Sequence, residues 1–273
     1  MASAQGVAIC WAMNSDSPAR LTDRAAIAVT GEEARDFLQR VVTCPIADIS
    51  DGEMRAGALL TPQGKIIVDF LIHGRPDGVL IELPAAAADA FAKRLSMYKL
   101  RARAEVRVSE DLAIIAGEGT PDPRSAALPK RGIRPRAETA GWRAGDASQA
   151  EAEIAAGVPA FARDYGEADV FPTDVNLDLY GGIGWKKGCF VGQEVVSRMK
   201  RRGTIRKRTV RLDFEATAPA AGTDVTLGDT ALGTITSSAG AHALAILRLD
   251  RLDDAREVES GGLKAKVVLP AGV

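Results

Sequence analysis

Cysteine is scarce in this chain, with 3 in 273 residues, at Cys10, Cys44 and Cys189. An odd number without metal-type spacing argues against a disulfide framework and for a reducing compartment, and no preformed metal site is visible. Aromatic residues make up only 5%. None interleaves with the basic run that begins at Arg198, so a stacking platform for single-stranded nucleic acid is not expected. An excess of either charge is missing too: 35 basic against 36 acidic residues leave a formal charge of −1, and no global field draws nucleic acid or a membrane. Long apolar runs are absent as well. Val7–Met13 is too short to cross a bilayer and lacks the basic front of a signal peptide, which makes the cytoplasm the expected location. What the chain does have is length and a hydrophobic content of 46%, too much for one small core and enough for two or three packed units.

Ala25–Val29 reads as a strand, and Thr30 with Glu33 reads as a capping box opening a helix that carries Ala34, Phe37, Leu38 and Val41 on one face. A hairpin follows: Ala56–Leu60, a turn through Pro62-Gln63-Gly64, then Ile66–Ile72. Val79–Leu83 is a third strand. Pro84 starts a helix with Ala87, Phe91, Leu95 and Tyr98 on its buried stripe, and apolar residues alternate with charged ones from Arg101 to Val108. Hairpins alternating with amphipathic helices predict ferredoxin-like α+β units. Between Gly117 and Gly145 proline, glycine and arginine dominate, which predicts a connecting loop, and Ser148 with Glu151 caps a short helix ended by Gly157. From Thr209 onward short strands with glycine-rich joins predict a small antiparallel barrel.

The segment from Phe171 to Glu194 places Cys189 among glycines behind Lys186 and Lys187. Gly188 and Gly192 permit a sharp turn that presents a side chain outward. Two ammonium groups and the start of a helix at Gln193 are surroundings that favour a thiolate. The alternative is a small buried hydrophobe. Downstream, Arg198, Lys200, Arg201, Arg202, Arg206, Lys207 and Arg208 enclose no acidic residue. Such a run suits a carboxylate tail, a phosphate or an RNA backbone, or is a solvated segment between domains.

The stretch Lys187-Gly188-Cys189-Phe190-Val191-Gly192-Gln193-Glu194 resembles the signature of the YgfZ-type folate-binding proteins, relatives of the glycine-cleavage T-protein that assist iron–sulfur enzymes. The resemblance extends over Gly31–Cys44, the hairpin Gly57–Lys65 and Tyr98–Val108. It implies an α+β fold of the T-protein type: ferredoxin-like units around a central cavity over residues 1–205, then a C-terminal β-barrel over 206–273. It further implies an accessory factor for assembly or repair of iron–sulfur clusters that binds tetrahydrofolate or a derivative, with client or assembly proteins as partners.

By the same resemblance Cys189 is the reactive thiol, and Asp69 matches the aspartate that meets the reactive part of folate in the T-protein. By itself an aspartate in an apolar strand is more often structural and needs a partner or solvent. Lys187, Gln193, Arg198 and Arg202 are expected in the ligand site, the arginines at the glutamate tail. Asp174 and Asn176 either join the ligand site or cap their loop. Two polar anchors of the T-protein are missing, replaced by Ala155 and Leu83, which argues against aminomethyl transfer. A folate-dependent one-carbon transferase and a noncatalytic interaction module remain the alternatives.

Overall fold

The computed structural model describes residues 17–203, 205–252 and 255–273. Cys10 and the Val7–Met13 segment lie outside these residues. The chain runs β1 (Ala19–Leu21), β2 (Arg24–Thr30), α1 (Ala34–Gln39), β3 (Met54–Leu60), β4 (Ile66–Arg75), β5 (Gly78–Pro84), α2 (Ala88–Lys99), β6 (Glu105–Val108), β7 (Leu112–Thr120), β8 (Arg131–Pro135), α3 (Asp146–Ala156) and α4 (Gln193–Arg201). Six more strands follow: β9 (Lys207–Phe214), β10 (Asp224–Leu227), β11 (Thr230–Ala239), β12 (His242–Arg248), β13 (Glu257–Ser260) and β14 (Leu263–Val268).

The strands form an antiparallel five-stranded sheet in the order β3-β4-β5-β2-β6, a three-stranded sheet β1-β7-β8, and a closed barrel β10-β11-β12-β9-β14-β13. The five-stranded sheet is covered on both faces, which explains why β4 and β5 read as nearly unbroken apolar runs. Phe70, Ile72, Val79 and Ile81 pack with Phe37 and Leu38 of α1 and with Phe91 and Leu95 of α2. On the other side Met54, Ala56, Ala58, Ile66 and Leu71 pack under a long irregular segment through Tyr165, Val170, Val175, Leu177, Ile183 and Phe190. The barrel has its own core around Val210, Leu212, Val225, Ile235, Ala245 and Leu247.

Three local expectations need correction. Glu33 makes no capping bond for α1; its carboxylate instead accepts the Arg103 amide at 2.6 Å, tying the helix entrance to the strand beyond α2. The third helix starts two residues before Ser148, and Asp146 accepts the Thr22 and Asp23 amides rather than capping its own turn. The Gly117–Gly145 stretch contains β8, whose Arg131 is almost fully buried. Gly157 does end α3, in the left-handed conformation that glycine supplies cheaply.

Candidate functional site

Cys189 is exposed, whereas Cys44, the other described cysteine, is buried. The loop that presents Cys189 is fastened at both ends. On its N-terminal side the Lys187 ammonium donates to the carbonyls of Gln39 at 2.6 Å and Cys44 at 2.9 Å, and Gln39 Nε2 returns a bond to the Lys187 carbonyl. The cation thereby satisfies the Gln39 carbonyl left open at the end of α1, where the helix dipole is negative, and the Cys44 carbonyl in the turn beyond it. Burial lowers the Lys187 pKa to about 8. The expected pairing of Lys187 with the thiol is therefore corrected: its charge is spent on clamping the loop.

On the C-terminal side Phe190 is buried, and its amide donates to Gln193 Oε1 at 3.3 Å. Gly192 has φ 77° and sits so close to the β3–β4 turn that a Cβ there would lie 2.6 Å from the Thr61 carbonyl oxygen. Only glycine lets the loop lie against that turn. Gln193 and Lys187 thus hold the thiol loop in place.

Asp69 lies opposite Ala58 in the β3–β4 ladder and shares a face with Leu71. Its side chain opens on a small internal space walled by Arg24, Gly57, Arg124, Leu177 and Tyr180. Burial raises the Asp69 pKa, opposed by Arg24 and Arg124. Tyr165, buried beside it, is raised well above its ordinary value by the same desolvation and by the Asp69 charge.

Around this space runs a buried ion network. Arg131 reaches Glu82 at 3.3 Å, Glu153 at 3.5 Å and Asp122 at 3.6 Å. Arg24 and His73 hold the two oxygens of Glu82 at 3.2 and 3.3 Å, and Arg124 bridges Asp122 and Glu153 at 2.7 and 2.9 Å. Arg163 joins Glu153 to Asp164, each at 2.8 Å. Burial alone would raise the Glu82 and Glu153 carboxyls, but the guanidinium groups outweigh it and hold both below the usual carboxylate range.

The space beside Asp69 measures about 10 Å³, room for about one water molecule, whereas a drug-sized ligand takes a pocket of at least ~300 Å³. Arg124 and Arg24 are already committed to carboxylates. The space directly beside Asp69 is thus smaller than a folate ring, and Arg24 and Arg124 separate it from adjoining spaces of about 300 and 190 Å³ that they respectively also line. Leu83 is fully buried in the main core, and the carbonyl of Ala155 accepts from Arg211 at 2.6 Å, so neither position offers a substitute anchor.

The remaining expected ligand residues are placed elsewhere. Asp174 is buried and accepts the Phe171 amide at 2.9 Å. Asn176, with φ 62°, donates to the Thr209 carbonyl at 2.9 Å, which makes both residues fasteners of their turn onto β9. Arg198 and Arg202 are exposed on and just after α4 and line none of the spaces around Asp69. Cys189 lines none of them either. The structure thus separates the thiol and basic residues from Asp69. Arg208 leaves the basic run altogether, buried in a two-bond pair with Asp178. The network residues Arg24, Glu82, Arg124, Arg131 and Glu153 were not anticipated; the one available signal was a charge inside the apolar strand Val79–Leu83.

Antiparallel sheets, a segment crossing over them, and a closed C-terminal barrel define a protein of the aminomethyltransferase fold. The aminomethyltransferase T of the glycine cleavage system from Bartonella henselae superposes with a TM-score of 0.77 over 93% of this chain and 85% of its own, at 19% identity. Residues 206–273 match the family of the CAF17 C-terminal β-barrel domain. The homologues of the chain are IBA57- and YgfZ-type proteins. A mitochondrial iron–sulfur cluster assembly factor IBA57 homolog of Pyricularia oryzae is 29% identical over 69% of this chain and 55% of its own length. Mouse mitochondrial IBA57 is 28% identical over 85% of this chain and 78% of its own. The tRNA-modifying protein YgfZ of Vibrio vulnificus is 25% identical over 76% and 73%. The chain thus spans about half the length of the P. oryzae relative. The eukaryotic relatives carry mitochondrial names, which overturns the cytoplasmic expectation.

Proposed function

We propose that this chain is an accessory factor in the assembly or repair of iron–sulfur clusters in client enzymes, with the Cys189 thiol as the group that meets the client or a cluster-bearing partner. Similarity to assembly factors over most of the chain supports the reading. The observation that carries it to a residue is the exposed Cys189 on a loop fastened by Lys187, Phe190 and Gly192. An inert structural cysteine has no need of such a mount; Cys44 shows the contrast, sealed in the core with its thiol pushed up to about 12 by burial.

The aminomethyltransferase fold favours a reduced folate as a ligand, but the room beside Asp69 and the missing anchors oppose it, so no step is assigned to one. The same arrangement argues against aminomethyl transfer, because neither a carboxylate nor an amide stands at position 155 or 83 to hold the folate nitrogens for reaction. Two measurements test the proposal. Expression of the chain in cells lacking their own counterpart is expected to restore the activity of a four-iron enzyme. Purified protein given an aminomethylated carrier and tetrahydrofolate is expected to form no methylenetetrahydrofolate; turnover of roughly 1 per second or faster would replace the accessory-factor reading with the transferase one.

A further inference from the structure

We infer that the face around Cys189 is a docking surface for an acidic protein partner, an inference that rests on the proposed function and specifies the kind of partner it serves. The observation is a local segregation of charge in a chain whose net charge is −1. Between Leu179 and Leu212 there are ten lysines and arginines and a single acid, Glu194. Lys186, Arg198, Lys200, Arg201 and Arg202 are all exposed. Among the described residues none of these five is held by a carboxylate. Six arginines elsewhere, Arg55, Arg94, Arg103, Arg107, Arg134 and Arg248, each have an acidic partner, and others such as Arg40, Arg75 and Arg101 have none among the described residues but are spread singly over the surface, so it is the clustering that sets this face apart.

The cations and the thiol belong to one built surface. Lys200 Nζ stands 3.9 Å from the centre of the Trp185 ring, which lays the basic side of α4 against the loop that carries Cys189. Val196 and Phe190 enter the same buried cluster beneath them, so helix and loop share a footing. A partner with a carboxylate-rich rim would be steered onto this face, since like-signed charges on a low-dielectric surface raise the encounter rate with an opposite one. RNA would meet the same charges, but the ring next to the thiol is already covered by Lys200 and offers no base a place to stack. A phosphate backbone also gives the thiol nothing to react with.

The test uses two short cysteine peptides activated as mixed disulfides with thionitrobenzoate, one flanked by glutamates and one by serines. The Cys189 thiolate attacks the peptide sulfur, a new protein–peptide disulfide forms, and thionitrobenzoate leaves as the coloured thiolate. Mass spectrometry reads the modified residue. At low salt the acidic peptide is expected to react about 10-fold faster or more, with the preference shrinking as salt shortens the reach of the charges. The triple variant R198E/R201E/R202E is expected to reverse the preference while leaving the serine peptide's rate unchanged, and R198Q/R201Q/R202Q, which adds no new repulsion within the fold and leaves only Lys186 and Lys200 of the five, is expected to reduce it several-fold. A fast Cys189 indifferent to peptide charge, or a preference that survives both triple variants, overturns the docking surface alone. A Cys189 slow toward both peptides overturns the thiol reading, and this inference with it.

Discussion

Two thiols flank the Lys187 clamp in opposite environments. Cys44 is fully buried with its thiol pushed up to about 12, and Cys189 is exposed. Iodoacetamide at neutral pH is expected to label Cys189 in the native protein and Cys44 only after unfolding; equal native rates would contradict the assignment. Arg131 is the other residue on which much depends, because three carboxylates surround it and it is 1% exposed. Arg131→Gln leaves those charges uncompensated and is expected to cost about 3–5 kcal/mol in urea unfolding, and a loss under about 1 kcal/mol would show that the network neutralises itself by taking up protons. The exposure of Cys189 was legible in the sequence, since Gly188 and Gly192 mark a turn that points a side chain outward. The role of Arg131 was not legible: its carboxylate partners Glu82 and Glu153 come from β5 and α3, well separated from it along the chain, and an arginine shortly after Pro129 carries no local trace of that.

Among the elements, those whose apolar pattern is set by a single neighbour were readable. α2 shows its buried stripe through Phe91 and Leu95, and the β3–β4 hairpin shows its turn through Pro62 and Gly64. Expectations failed where a long-range partner replaced a local one: Glu33 spends its carboxylate on Arg103, and Asp146 spends its own on the β1–β2 turn. The strand β8 was hidden for a related reason, because Arg131 and Arg134 interrupt its apolar pattern and only pairing with β7 defines it. The thiol loop yields a prediction at this scale. Gly192→Ala places a Cβ against the Thr61 carbonyl oxygen in a backbone conformation that alanine disfavours. It is expected to destabilise the protein by about 1–3 kcal/mol and to change the alkylation rate of Cys189 while leaving Cys44 protected. An unchanged melting temperature and an unchanged Cys189 rate would show that the contact with the β3–β4 turn does not hold the loop.

Across the whole molecule, polar fasteners join the sheets to the barrel: Asp164 accepts from Ser237 at 2.5 Å and Thr236 at 2.8 Å, and Arg208 of β9 pairs with Asp178 at 2.8 Å. Acid should loosen the network at the centre of the first unit. Glu82 and Glu153 have folded pKa values below their unfolded ones, so their contribution is fully present above about pH 4.5 and is lost as pH falls through the lower folded values. Asp23, raised to about 6 mainly by burial, acts in the opposite sense: the stability it contributes is present below its unfolded value and lost as pH rises through 6. The melting temperature should therefore rise modestly as pH falls from 6 to 4.5, through Asp23, and turn downward below that as Glu82 and Glu153 lose their contribution, and Glu153→Gln should flatten the fall; a fall complete above pH 5 would contradict this. The central claim is that the thiol at position 189 does the work and the rest of the chain presents it. It is tested most directly by the specific activity of a four-iron enzyme, per molecule of that enzyme, in cells lacking their own counterpart and carrying this chain, its Cys189→Ala form or its Cys44→Ala form at equal soluble levels. The unaltered chain and Cys44→Ala should restore activity and Cys189→Ala should leave it at the level of the empty cells, whereas full restoration by Cys189→Ala would contradict the claim.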